Sequence, residues 1–122
     1  MSLPSPKRAG AAPRPGDAAV ALHERGDYAG AVQAFERILQ QDPANATARW
    51  GLGRALIKLK QMAKAVPHLE QAVAGLPKAP EPRYDLALAC LAVHRSADAV
   101  AQLKVVVARQ PQWIEALSLL GY

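Results

Sequence analysis

Between Ala46 and Ala79 the apolar positions fall on the faces of two helices folded back on each other. Leu52, Ala55, Leu56 and Leu59 keep the i, i+3, i+4, i+7 spacing of one helical face, and Ala65, Val66, Leu69, Ala72 and Val73 repeat it after a polar break at Lys60 and Gln61. Sliding this unit by 34 residues lands like on like. Ala19, Leu22, Ala31, Phe35, Ile38 and Pro43 fall on Gly53, Leu56, Ala65, Leu69, Ala72 and Pro77, and the next block supplies Ala87, Cys90, Ala99, Leu103, Val106 and Pro111. The three prolines recur with no insertion or deletion, so the chain reads as a repeat array of helix pairs. In the first unit Asp17 is expected to cap a short helix running through Arg25, and Gly26-Asp27-Tyr28 breaks the pattern. A second helix then runs to about Gln41 and ends at Asp42-Pro43. No strands are expected.

The pattern has a packing logic. Small residues at Gly53, Ala65, Ala87 and Ala99 let helices approach to the roughly 8–10 Å of ordinary helix packing, while larger residues four places away fill the adjoining space. Ala65→Asp is accordingly expected to unfold the array. Two positions break the regularity. Pro67 falls inside the second helix of the middle unit, where a helix starting near Met62 or Ala63 would put it close enough to the first turn to cost little. Gly26 has no counterpart at Lys60 and His94, so those turns either adopt a left-handed conformation at a cost or close differently.

Length and composition fit one modest soluble domain, and six aromatic residues among abundant alanine favour close-packed helices over a sheet core. The single cysteine, Cys90, has no partner for an internal disulfide and sits at a core phase, where it reads as a small buried hydrophobe. Residues 1–16, rich in proline with Lys7, Arg8 and Arg14, read as a disordered basic tail. The alternative is an arm that orders on a partner. They lack the apolar run of a signal peptide, and no later stretch has the length of a membrane span, so the default expectation is cytoplasmic, with no membrane role. The net charge of +5 is uneven: Ala46 to Ala79 holds six basic residues against Glu70 alone.

These residues resemble the tetratricopeptide repeat family, a 34-residue helix-turn-helix with the pattern W-x2-L-G-x2-Y, then A-x3-F, then P. Leu52-Gly53-x2-Leu56, Ala65-x3-Leu69 and Pro77 match it. So do Ala31-x3-Phe35 with Pro43, and Leu86-Ala87-x2-Cys90 with Ala99-x3-Leu103 and Pro111. Arg49 and Arg83 stand where the family has tryptophan, and leucine or cysteine where it has tyrosine. Such swaps are expected to keep apolar knobs and spare the fold. The resemblance implies an all-α fold, a right-handed superhelical α-solenoid of antiparallel helix pairs. It would hold three repeats (about 12–45, 46–79 and 80–113) and a truncated fourth over 114–122, with the solenoid domain spanning 17–122.

Nothing in the sequence points to catalysis. His23, His68 and His94 lie in different repeats at different phases, without hydroxyl partners in any recognisable motif, and there is no cysteine-histidine cluster with zinc spacing. Gly51-x-Gly53 lacks the third glycine of a dinucleotide fingerprint and has no preceding strand, so Gly53 is read as a helix-contact residue. No enzyme, cofactor or metal is expected.

In the family resembled, the first helices of successive repeats line a concave groove for a peptide or a partner's helix. By repeat phase the groove would be lined by Val20, His23 and Glu24, then Trp50, Gly51, Arg54, Ile57 and Lys58, then Glu81, Tyr84, Asp85, Leu88 and Leu91, then Glu115, Ser118 and Tyr122. Trp50 and Tyr84, one repeat or about 10 Å apart, would form an aromatic ladder beside Arg54 and Lys58. The like-charge pair Arg54 and Lys58 at i, i+4 could be offset by a ligand carboxylate or phosphate; a solvated basic face is the plain alternative. Chaperone-binding members clamp two carboxylates with lysines, asparagines and an arginine. The matching phases here, Gly16, Val20, Gly51, Glu81 and Asp85, supply no cation, which argues against a chaperone tail.

The expected function is a protein-interaction scaffold with a protein or peptide partner. One alternative is the non-catalytic repeat arm of a larger enzyme, such as a transferase, cut after residue 122. RNA or acidic-ligand binding through the basic second repeat is a weaker reading, because its positive charges are not arrayed with several exposed aromatics. Trp113, Ile114, Leu117, Leu119 and Leu120 make the last segment apolar nearly all round. A repeat array ends in a polar cap, so this segment implies either a fragment of a longer protein or docking on a partner or a second copy.

Overall fold

The structure, a computed structural model, describes residues 15–121. Among them it has seven α-helices and no strand. They are α1 (Pro15–Glu24), α2 (Tyr28–Gln41), α3 (Ala46–Lys58), α4 (Met62–Gly75), α5 (Pro80–Ala92), α6 (Ser96–Arg109) and α7 (Ile114–Leu120). The expected tail, apart from its last two residues, and Tyr122 lie outside the described residues. Pro15 and Gly16 already belong to α1, so Asp17 stands in the first turn and is not the residue before the helix.

Each helix packs antiparallel against the next, giving a solenoid of three helix pairs followed by α7. Fully buried Ala31, Ala65 and Ala99 share one repeat phase, and Phe35, Leu69 and Leu103 fill the phase four residues on. Gly53 belongs to the same contact: a Cβ there would come 2.5 Å from Leu69 Cδ2, so only glycine admits the close approach of α3 to α4. Cys90 is 1% exposed and its thiol is pushed up by burial. The first helices of successive pairs also touch, α1 with α3 and α3 with α5, whereas the second helices make no comparable contact with one another among the described residues. The array therefore has an inner side made of first helices.

The three turns within the pairs share one geometry. Gly26, Lys60 and His94 all have positive φ, at 86°, 64° and 65°. In each, the residue after it bonds back to the last turn of the preceding helix: Asp27 N–H to the Leu22 carbonyl, Gln61 to Leu56 and Arg95 to Cys90, at 2.8–2.9 Å. This is the Schellman closure, which favours glycine, so Lys60 and His94 adopt the left-handed conformation at a cost of about 1 kcal/mol each.

Two further expectations are corrected. Pro67 is the sixth residue of α4, past the first turn, so it removes a hydrogen bond that its N–H would have made to Ala63. Its exposed ring limits the damage to the backbone. Arg49 and Arg83 are not apolar knobs. Each reaches from the first helix to the second, Arg49 Nη1 to His68 Nδ1 at 3.1 Å and Arg83 Nη1 to Gln102 Oε1 at 2.9 Å. Each also donates to the carbonyl of the proline before its own repeat, Pro43 at 3.3 Å and Pro77 at 3.2 Å. The guanidinium replaces the bulk of an indole with hydrogen bonds that tie successive repeats together, leaving only the two Nε atoms buried without a partner.

Candidate functional site

Phase places Val20, His23 and Glu24 on α1, Trp50, Arg54 and Lys58 on α3, and Glu81, Tyr84, Asp85 and Leu88 on α5, the helices of the inner side. The structure joins some of these and separates others.

Trp50, Arg54 and Asp85 come together across the junction of the second and third repeats. The Trp50 indole donates to Asp85 Oδ2 at 2.7 Å, Arg54 Nε lies 3.6 Å from the same oxygen, and the Arg54 guanidinium sits 5.4 Å from the centre of the Trp50 ring. Burial pushes the Asp85 carboxyl above its ordinary range, while the Trp50 N–H and the Arg54 charge favour its anion. Trp50 is also half-buried against the core. It is thus bound into the junction. Tyr84 stacks on Trp113, centroids 4.7 Å apart.

One repeat earlier, the junction of α1 with α3 is open. A cleft of about 460 Å³ runs between α1, α2 and α3, with Phe35, Ile38 and Ala48 among its apolar lining and Asn45 and Thr47 toward the start of α3. A smaller recess of about 120 Å³ adjoins it, lined by His23 and Glu24 together with Val20, Phe35, Gly51 and Arg54, which the two hollows share. Gly51 has a packing reason as well: a Cβ on it would fall 2.3 Å from Phe35 Cζ, so its absence lets the Phe35 ring form the floor. Phe35 and Ile38 were legible only as core residues and Ala48 was not singled out; their second surface appears where Gly16 and Gly51 leave space between α1 and α3.

Electrostatics follow the same division. His23 resists protonation because it is partly buried and then because Arg54 and Lys58 lie near, with Glu24 opposing; its ring meets Tyr28 edge-on at 5.0 Å. Arg54 and Lys58 therefore face a neutral imidazole on α1. Among the described residues exposed Lys58 makes no ion pair, and Arg54 makes one, through Nε to Asp85. Glu81, whose charge also raises the Asp85 carboxyl, lines a shallow hollow with Glu115 and Trp113, and Leu88 is half-buried. Gly51, Ile57 and Leu91 are half-buried, and Ser118 is exposed. In α7, Trp113 and Leu120 pack on the core, Leu117 is half-buried, and Ile114 (71% exposed) and Leu119 face outward. Among the described residues no group of three or more His, Cys, Asp or Glu could hold a metal ion, and no helix is long and apolar enough to cross a membrane.

Comparison with known proteins gives a consistent picture. The family model described as "Tetratricopeptide repeat" matches residues 22–66 and 60–121. No curated protein matches the sequence. Among solved structures, MamA (residues 41 to the end) from Desulfovibrio magneticus RS-1 is similar with a TM-score of 0.83 at 30% identity, over 88% of this chain and 60% of that one. The first TPR domain of Spaghetti (RPAP3), bound to the HSP90 peptide SRMEEVD, gives 0.82 at 21% identity over 87% and 84%. YrrB, a TPR protein with an unusual peptide-binding site, gives 0.82 at 24% over 88% and 55%. The chain thus spans about 60% of the MamA chain it matches.

Proposed function

Since this chain belongs to the tetratricopeptide repeat family, we propose that it is a protein-interaction scaffold whose inner side, built by α1, α3 and α5, holds an extended segment of a partner protein. The observation that carries this reading is the pair Arg54 and Lys58. They lie one turn apart on the inner helix α3, and among the described residues neither Lys58 nor the terminal nitrogens of Arg54 have a carboxylate partner. Like charges at i, i+4 cost a few tenths of a kcal/mol on an isolated helix, and an acidic group on the bound segment removes that cost. RPAP3 and YrrB, which share the fold, have a bound peptide and a peptide-binding site respectively. The ligand here is not a chaperone tail: the five clamp phases hold Gly16, Val20, Gly51, Glu81 and Asp85, none of them cationic.

The test is the double variant Arg54→Glu with Lys58→Glu. Partner proteins captured from a cell extract by the parent chain, identified by mass spectrometry, are expected to be lost by the variant while its helical circular dichroism is unchanged. Equal capture by both places the binding surface elsewhere on the molecule.

A further inference from the structure

The register of the repeat makes the open cleft between α1 and α3 a difference within one pattern. Gly16 and Trp50 are one repeat apart, as are Gly51 and Asp85. At the second junction Trp50 and Asp85 occupy these phases and bond to each other across it. At the first junction the same two phases hold glycines, and the space stays open with Phe35 beneath it. An exposed Val20, at 47%, forms one wall. The volume of about 460 Å³ lies within the roughly 300–1,000 Å³ usual for ligand pockets, and the floor is apolar.

Charge decides which segment fits. At one end stand Asn45, Thr47 and Asp17; at the other, Arg54 presents its terminal nitrogens with Lys58 one turn beyond, beside neutral His23 and exposed Glu24. Arg54 is held in place by Trp50 and Asp85, so its guanidinium is pre-oriented at the mouth. Resting on the scaffold reading above, we infer that the cleft receives a bulky aliphatic side chain of the partner segment and that Arg54 takes a side-chain carboxylate a few residues along the same segment. The recognised unit is internal to a chain, an apolar residue followed by an acidic one, and needs no free C-terminus.

The probes are fluorescein-labelled, C-terminally amidated hexapeptides in which one leucine is followed by one glutamate one, two or three positions later. Fluorescence anisotropy with the full chain is expected to show binding for at least one spacing. Replacing the leucine of that peptide by alanine should weaken it about tenfold, from the apolar surface left unburied, and replacing the glutamate by glutamine should weaken it several-fold. Val20→Phe, on an exposed wall where the fold tolerates bulk, should fill the cleft and abolish binding. Arg54→Gln should erase the preference for glutamate over glutamine while keeping the preference for leucine over alanine. Binding that is indifferent to leucine and to Val20→Phe, yet lost in Arg54→Glu with Lys58→Glu, overturns the cleft and leaves the scaffold reading standing. No binding at any spacing by a chain that still captures proteins does the same. Two results in the unliganded protein also overturn it. Nuclear Overhauser contacts from the Met1 or Leu3 methyl groups to Phe35 would give the cleft to the chain's own N-terminal residues, and a dimer abolished by Val20→Phe would give it to a second copy.

Discussion

The first and second junctions along the inner side are built from equivalent positions and end in opposite states. Trp50 and Asp85 lock α3 to α5 with a 2.7 Å hydrogen bond, and Arg54 is gathered onto both. Gly16 and Gly51, one repeat earlier, put no side chain between α1 and α3, and a cleft over an apolar floor remains there. The repeat phase dictates where helices touch, but the side chains at the touching phases decide whether the contact is a bond or a space. A protein of this architecture can thus keep one junction as a rigid mount and use the next as a receptacle.

The comparison is broken most severely at Asp85. Asp85→Ala leaves the half-buried indole N–H of Trp50 without its acceptor and Arg54 without its counter-charge, and is expected to cost about 2 kcal/mol in urea denaturation. Asp85→Asn keeps an oxygen for the indole and should cost less than half as much. Equal losses for the two would show that charge, not the hydrogen bond, closes the second junction.

A smaller effect is expected from the glycines of the open junction. Gly51→Ala gains helix propensity but drives its Cβ into Phe35, and the overpacking should prevail with a net loss of about 1 kcal/mol. Gly16→Ala meets nothing within 4 Å and, at the second residue of α1, should be neutral to stabilising by up to about 1 kcal/mol. Thermal melts of the two variants test whether the cleft is open by packing at one wall only.

The smallest effect compares the outer clamps of the same two repeats. Arg49 bonds to His68, whereas Arg83 bonds to Gln102. Burial and then the Arg49 charge lower the His68 pKa, so the folded chain resists a proton that the unfolded chain accepts near the ordinary value of 6.5. The stabilising contribution is present above pH 6.5 and declines as pH falls below it toward the folded value. His23, shifted in the same direction, adds a like contribution. His68→Gln copies the third repeat's clamp into the second and should reduce the loss of melting temperature between pH 7.5 and pH 5.5, while the share from His23 remains. An unchanged pH slope would show that the Arg49–His68 contact does not bear on folding.

Much of the fold was legible in the order of residues. Small and large side chains alternate at fixed phases, and the recurring prolines and polar turns mark each helix end, because a helix of this length buries one stripe and stops where its backbone can no longer continue. That Gly53 is a helix-contact residue was readable in this way; that the residue it meets is Leu69 was not. The site was less so. Val20, Trp50, Arg54, Asp85 and their neighbours could be put on the inner helices by phase, but phase says nothing of how they partner. Trp50 turned to Asp85, Tyr84 to Trp113, and Phe35 acquired a second surface as the floor of a cleft. Arg49 and Arg83 misled for the same reason: a charged residue at an apolar phase is interpretable only once the carbonyl and the side chain it reaches are in place.

The sequence by itself determined the repeat length, the helix pairs and the buried faces, since these follow from short-range periodicity and residue chemistry. The tertiary structure alone decided which junction closes and which stays open. That outcome depends on distances between residues about 35 positions apart, where an ångström separates a hydrogen bond from a hollow, and where the glycine at 51 matters through the ring it lets lie against the backbone.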